Sequence, residues 1–215
     1  VTAADIRSLV PADIEPAAAL LGRAFRDNPA YRAILAHLPE GARGATVARV
    51  KLGFTRAAAK YELAEGIWQD GRLAAVSLVC APGQYPHGLL AFMHHARGCV
   101  PAGWRAVRNF LRTDAHFSKR HPREPHFYLF VLGVEPEAQG RGLGKALLRS
   151  LAARADEHGL PCYLETDKAT SVHLYASAGY VVLTEEDVKG VAGLHLWTMR
   201  RPGKDESAGA IRVDA

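Results

Sequence analysis

The stretch from Phe127 to His158 constrains this chain more than any other, because three signals follow one another there in an order few folds accommodate. Phe127-Tyr128-Leu129-Phe130-Val131-Leu132 is an almost unbroken apolar run and predicts a buried strand. Gly133-Val134-Glu135-Pro136-Glu137-Ala138 breaks it, and in Gln139-Gly140-Arg141-Gly142-Leu143-Gly144-Lys145 glycine alternates with other residues just where a helical pattern begins. Strand, glycine turn and helix in this order let the backbone approach a ligand. The first-turn N–H groups point outward, and the helix dipole together with Arg141 and Lys145 favours an anion such as a phosphate or pyrophosphate. Two familiar glycine motifs do not fit. A P-loop would need glycine where Gln139 stands and Ser or Thr where Ala146 stands, and a dinucleotide fingerprint starting at Gly142 would need its third glycine at Leu147.

Read as Val134-x-Pro136-x-x-Gln139-x-x-Gly142-x-Gly144, the turn resembles the acetyl-coenzyme A signature of the GNAT superfamily of N-acetyltransferases, Gln/Arg-x-x-Gly-x-Gly/Ala. The Leu164-Glu165-Thr166 strand end and Leu174-Tyr175-x-x-x-Gly179-Tyr180 fall where that family places them. His121-Pro122-Arg123-Glu124-Pro125, Leu132-Gly133-Val134 and Trp197-x-Met199-x-Arg201 are similar in wording to puromycin N-acetyltransferase and its relatives. The resemblance implies an α/β (α+β) fold, with a mixed central sheet of about six or seven strands flanked by helices. It also implies acetyl-CoA as donor cosubstrate and no metal.

Around this stretch the chain has 215 residues, 48% hydrophobic and 23% charged, which suits one core; residues 1–202 read as a single domain and 203–215 as a polar, disordered tail. The net charge of +5 is spread out, without basic runs interleaved with aromatics, so a phosphorylated cofactor is favoured over nucleic acid as partner. Cys80, Cys99 and Cys162 are odd in number and lack metal-ligand spacing, and they read as core residues of a reducing, cytoplasmic setting. No signal-peptide pattern or membrane-length apolar run is present, and no membrane partner is expected; a monomer or homodimer is.

In chain order, Ile6–Val10 predicts a strand, and Asp13 an N-cap for a helix carrying Ile14, Ala17, Ala18, Leu21 and Phe25 on one face. Tyr31–Leu38 predicts a turn or two of helix, and Ala45–Lys60 a longer one. Asp70-Gly71 between Glu65–Gln69 and Arg72–Val79 is a strong hairpin signal. His87–His121 reads as helical, divided at Pro101 and Gly103, with His87, His94, His95, His116 and His121 as solvated surface histidines. After the glycine turn, Leu143, Leu147, Leu151 and Ala155 line a helix that Gly159 stops. Cys162–Thr166 then forms a strand parallel to Phe127–Leu132, Thr170 or Ser171 caps a helix over Val172–Ala178, and Tyr180–Leu183 and Leu194–Met199 close the sheet.

The resemblance assigns roles. Gln139, Gly140, Arg141, Gly142, Leu143, Gly144 and Lys145 cradle the cofactor pyrophosphate, while the backbone of Leu132, Gly133 and Val134 pairs with its arm and binds the thioester carbonyl. Ser171, where the family often has Asn, contacts the pantetheine. Tyr175 takes the general-acid position, with an ordinary phenol pKa (~10) near that of a thiol (~8.5). Glu165, at the strand end, is the candidate base for the incoming ammonium, or a surface carboxylate balancing Lys168. Asp27, Tyr31, Trp68 and Tyr128 occupy acceptor-pocket positions, with packing the alternative for Trp68. The function implied is acetyl transfer to a primary amine of a small molecule by direct attack in a ternary complex. The alternatives are a protein or peptide amino group as acceptor, and a non-catalytic acyl-CoA-binding regulatory module.

Overall fold

The computed structural model describes residues 5–58, 63–84, 99–204 and 206. Its strands form one seven-stranded sheet in the order β1-β2-β3-β4-β5-β7-β6. Asp70 and Gly71, at φ 50° and 74°, make the tight reversal between β2 (Ala64–Gln69) and β3 (Arg72–Cys80), and a reversal with positive φ at both positions matches the right-handed twist of the strands it joins. β1 (Asp5–Ser8) extends that hairpin at the sheet edge, antiparallel to β2. On the other side of β3 lies β4 (Phe127–Val134), also antiparallel.

The helices bury the sheet from both faces. On one side α1 (Ile14–Ala24) sets Ala17, Leu20 and Leu21 against Val76, Leu78 and Val131. On the other, α5 (Leu143–Glu157) sets Leu143, Ala146 and Leu147 against Ile67, Ala74 and Ala75. All four residues of the expected α5 stripe are buried, and Gly159, at φ 65°, follows the helix end. A third cluster joins α2 (Pro29–Ile34), α3 (Glu40–Ala58) and α4 (Trp104–Arg120) to the turn between β6 (Val181–Asp187) and β7 (His195–Arg201), through Tyr31, Ile34, Val47, Val50, Ala106, Val188 and Val191. β5 (Cys162–Thr166) runs parallel to β4, with α5 as the crossover, and α6 (Ala169–Ala176) follows it.

Three local expectations are corrected. Asp13 accepts from the backbone N–H of Val10 at 2.9 Å and so closes a preceding 3-10 turn, leaving α1 without a side-chain cap. α6 begins earlier than Thr170 or Ser171, after Lys168, because the N–H of Ser171 already bonds the Lys168 carbonyl at 2.8 Å. His116 and the side chain of His121 are buried, not solvated, because Glu186 covers the one at 3.7 Å and the rings of His126, Tyr128 and Tyr163 pack around the other. Gly103, at φ 87°, does precede α4 as expected, whereas His87, His94 and His95 lie outside the described residues. Of the tail, Gly203 is buried and Glu206 holds a bidentate pair with Arg200, with both bonds at 2.7 Å.

Candidate active site

The sheet parts between its two parallel strands. β4 and β5 share only the pairs Phe127↔Cys162 and Tyr128↔Tyr163, although β4 continues to Val134 and β5 to Thr166. On the opposite edge the β3–β4 register shifts between Leu78 and Val79, which pair with Val131 and Leu129, so Phe130 is an extra residue in β4. Such a bulge bends its strand, and the bend opens a wedge along Leu129–Val134. The backbone there has a partner on the β3 side and none from β5.

The glycine turn stands at the mouth of this wedge. Gly140 and Gly142 sit at φ 77° and 83°, and Gly142 is the N-cap of α5, so the first-turn N–H groups receive no side-chain cap. Gly144 is different. Its φ is ordinary, and a Cβ there would meet Val134, Leu132 and Leu174 only at 3.7–3.8 Å. Nothing within the chain therefore requires glycine at that position; what its Cβ would fill is the space between β4 and α6. Backbone donors, positive-φ glycines and the exposed Arg141 and Lys145 together suit the pyrophosphate of an acyl-CoA. Gln139 folds back, its Nε2 donating to the Val134 carbonyl at 3.2 Å. Gly133 has a packing role as well, since a Cβ there would run into Leu21 of α1.

The two faces of the wedge differ chemically. On the α5 face, Tyr175 of α6 is buried among Phe127, Leu129, Leu148 and Leu164, its ring 5.9 Å from that of Tyr180. Burial, with Asp167 adding to it, pushes the Tyr175 phenol well above its ordinary value. The buried hydroxyl is thus held in its protonated form. On the other face, the Glu165 side chain is 4% exposed, and its Oε2 accepts from the Tyr128 hydroxyl at 2.6 Å. Its Oε1 lies 3.9 Å from Nδ1 of the buried His121. Glu165 is therefore an interior carboxylate and not a surface partner of Lys168.

Beyond the end of β5 lies an arrangement the sequence did not reveal. Asp167, just beyond β5, accepts from the N–H of Ala30 at 2.5 Å and from Asn28 Nδ2 at 2.9 Å, tying the strand end to the start of α2. Asn28 itself caps α2. Next to it, Lys51 of α3 is 4% exposed with its Nζ 3.5 Å from the Phe25 ring centroid, and burial brings it down to about 7 although Asp167 opposes the shift. Tyr31 is buried in the same cluster, and Asp27 is exposed between α1 and α2. Trp68 lies on β2, with β3 between it and the wedge, under the Arg7 guanidinium at 3.9 Å and over Gly66. Ser171 is half-buried in the first turn of α6.

The wedge thus brings together Leu132, Gly133, Val134, the 139–145 turn and α6 with Ser171 and Tyr175, with Glu165 and Tyr128 across the sheet; it does not bring in Trp68. Burial raises the thiols of Cys80 to about 12 and of Cys99 and Cys162 to about 11, so none is an activated nucleophile.

Residues 84–180 match the acetyltransferase (GNAT) family model. That match spans a little under half of the chain, and the fold is the one GNAT acetyltransferases share. It is 32% identical over 142 residues to a mycothiol acetyltransferase of Mycobacterium marinum, a match covering 60% of this chain and 42% of that protein. The chain thus spans less than half the length of the curated relatives it matches. These relatives carry the name mycothiol acetyltransferase, and the finer resemblance to puromycin N-acetyltransferase is not supported. The fold agrees with that of histone acetyltransferase HPA2 and related acetyltransferase from Corynebacterium glutamicum, at TM-score 0.64 and 19% identity, covering 94% of this chain and 97% of that one. It also agrees with an N-acetyltransferase from Thermoplasma acidophilum in complex with coenzyme A, at TM-score 0.56 and 14% identity over 92% of this chain and 98% of that one.

Proposed function

We propose that this chain transfers the acetyl group of acetyl-CoA to a primary amine of a small molecule, by direct attack within a ternary complex. The observation that carries the reading is the two-sided wedge. A glycine-lined anion cradle and a strand edge without a β5 partner lie at one side, and an interior carboxylate faces the other. A donor lying in the wedge and an acceptor entering from the α2–α3 side would meet between β4 and β5, and neither would need to leave before the other arrived. The mycothiol acetyltransferase name of the sequence relatives supports a small-molecule acceptor.

The 139–145 turn would hold the pyrophosphate, and the edge of β4 from Leu129 onward would pair with the amide-bearing arm. Acetyl-CoA supplies the activated thioester. Glu165 takes the proton of the incoming ammonium, which must be neutral to attack, and the Tyr128 hydroxyl holds the carboxylate in place. Leu132 and its neighbours offer backbone N–H groups to the carbonyl oxygen as charge develops on it. Tyr175 offers its hydroxyl hydrogen to the sulfur side of the wedge, where burial keeps the phenol protonated. The test is release of free thiol from acetyl-CoA with a panel of small amines and of peptides bearing free amino groups. Amine-dependent release with at least one small amine is expected. Release with peptides only would move the acceptor to proteins, and none with any amine would leave a binding module.

A further inference from the structure

Lys51 is a buried amine that the proposed chemistry leaves unused. Among the described residues the other lysines, Lys119, Lys145, Lys168, Lys189 and Lys204, are exposed, whereas α3 carries Lys51 inward at 4% exposure. A lysine on a helix ordinarily lays its stem along the surface and keeps its charged end in water. Here the end stays inside, with Nζ 3.5 Å from the centroid of the Phe25 ring and 5.3 Å from that of Tyr31.

Those neighbours place the amine at the wedge. Cε2 of the same Phe25 ring stands 3.5 Å from where a Cβ on Gly133 would be, so the ring lies against β4 on the stretch that has no β5 partner. At the end of β5, the Asp167 carboxylate acts both on Lys51 and on the Tyr175 phenol. Tyr175 belongs to the α5 face of the sheet and Phe25 packs with the α1 face, so one carboxylate reaches groups on the two sides of a single gap. An acyl group on the β4 edge would have the Tyr175 hydroxyl on one side and the Lys51 amine on the other, the placement that attack on a thioester needs.

The amine is also in its reactive form. Burial brings Lys51 to about 7 against the opposing pull of Asp167. The charged and titratable groups facing it are Asp167 from the end of β5 and, from α2, the Tyr31 phenol, which burial holds protonated; from the end of α1 it meets the Phe25 ring. About half of such amines are neutral at pH 7, against roughly one in 2,500 for a lysine in water (~10.4).

We propose that Lys51 is an internal acetyl acceptor, whose Nζ takes the acetyl group of acetyl-CoA when no amine substrate is present, an inference that rests on the acetyltransferase reading. The Nζ lone pair forms the bond to the carbonyl carbon, and the carbon–sulfur bond breaks. Lys51 gives up one hydrogen in becoming the amide and the sulfur gains one, so acetyl-lysine and free coenzyme A are formed and no further reactant is needed. The acetylated side chain carries no charge, which suits its apolar surroundings better than an ammonium does.

Protein incubated with acetyl-CoA and no amine should release a single thiol per chain and then stop, and peptide mass spectrometry should find the acetyl group on Lys51. At pH 7 this lysine should label roughly 10²–10³ faster in the folded protein than in urea, and its rate should level off above pH ~8. The rate should not change when the protein is diluted, and excess coenzyme A should suppress it. Lys51→Arg should lose the label while still binding acetyl-CoA in calorimetry; Gly142→Val, with Lys51 intact, should lose both. Acetyl groups spread over the exposed lysines, with Lys51 no faster folded than unfolded, would overturn the internal acceptor, as would a label on Lys51 that excess coenzyme A leaves untouched. Acetylation of an added amine by a protein whose Lys51 stays bare would keep the acetyltransferase and sink this inference, whereas a protein that does not bind acetyl-CoA would sink the reading beneath both.

Discussion

Gly142→Val probes the ligand side of the α5 turn, and Gly144→Ala its packing. In the first turn of α5 the alanine substitution relieves part of the cost of glycine in a helix, about 0.5 kcal/mol where an interior position would give nearly 1. The new methyl would sit at ordinary contact distance, 3.7–3.8 Å, from Val134, Leu132 and Leu174, so no strain offsets the gain. For a chain of this size the melting temperature should rise by about 1–2 °C. Acetyl-CoA affinity should change little, because the signature of the turn accepts alanine at this place, whereas Gly142→Val should lose it. First-turn N–H groups must come within about 2.9 Å of phosphate oxygens, and a branched side chain at Gly142, the N-cap at φ 83°, crowds that approach. Loss of one charge-assisted hydrogen bond, about 1.5–3 kcal/mol, weakens binding by roughly 10- to 150-fold. Thermal melts and calorimetric titration of the same preparation measure both. Gly133→Ala is the contrasting control, since its Cβ would run into Leu21 and should cost about 1–3 kcal/mol of stability. Unchanged acetyl-CoA affinity in a folded Gly142→Val protein would refute the placement of the cofactor at this turn.

Tyr175→Phe keeps the packed ring and removes the hydroxyl; turnover should fall by about 10²-fold, at the low end for a proton donor because burial opposes release, with acetyl-CoA affinity nearly unchanged. Steady-state rates beside calorimetry decide it, and full turnover in the variant would reduce Tyr175 to a core residue. Glu165→Gln should lower turnover mostly below the acceptor's pKa and progressively less above it, where the amine is already neutral, and a pH–rate profile parallel to wild type would move the base elsewhere. Arg201 holds the Asp156 carboxyl below its ordinary range through bonds of 2.9 and 2.8 Å. A depressed carboxyl stabilises the fold above its unfolded pKa and loses that contribution as pH falls through the lowered folded value. Arg201→Met should therefore cost about 0.5–1 kcal/mol near neutrality and nothing at the acid end, as urea unfolding at several pH values would show.

The wedge side of the molecule was largely legible because it is written in local signals. An apolar run, alternating glycines and a stripe at Leu143, Leu147, Leu151 and Ala155 each specify backbone geometry within a few residues, and β4, the turn, α5 and β5 follow where those signals place them. The surroundings of Glu165 and Asp167 were not, because they depend on contacts distant in sequence. Asp167 meets Ala30 across 137 residues, and Tyr128 meets Glu165 across 37. His126 has no periodic signature: it precedes β4, and only the fold sets its ring against those of His121 and Tyr163. The solvated reading of His116 and His121 failed for the same reason, since a polar residue on an amphipathic helix is assigned to water unless the partner that covers it is known. Asn28-Pro29 begins α2: Asn28 accepts from the N–H groups of Ala30 and Tyr31, and Pro29 fills the first helical position.

The paired rungs at Phe127 and Tyr128 act as a hinge between two plates, β1–β4 on one side and β5–β7 on the other. Beyond the hinge the plates are joined by side chains, Tyr128 to Glu165 and Asn28 with Ala30 to Asp167, and not by a hydrogen-bonded ladder. Side-chain ties yield more readily than a ladder, so the angle between the plates is a soft coordinate of an otherwise stiff sheet. An extended ligand bonded to the edge of β4 and lodged against β5 would serve as a strut, supplying rungs the protein itself lacks. Amide exchange on both plates should then slow together when the strut is in place, coupling the two halves of the chain as a single mechanical unit.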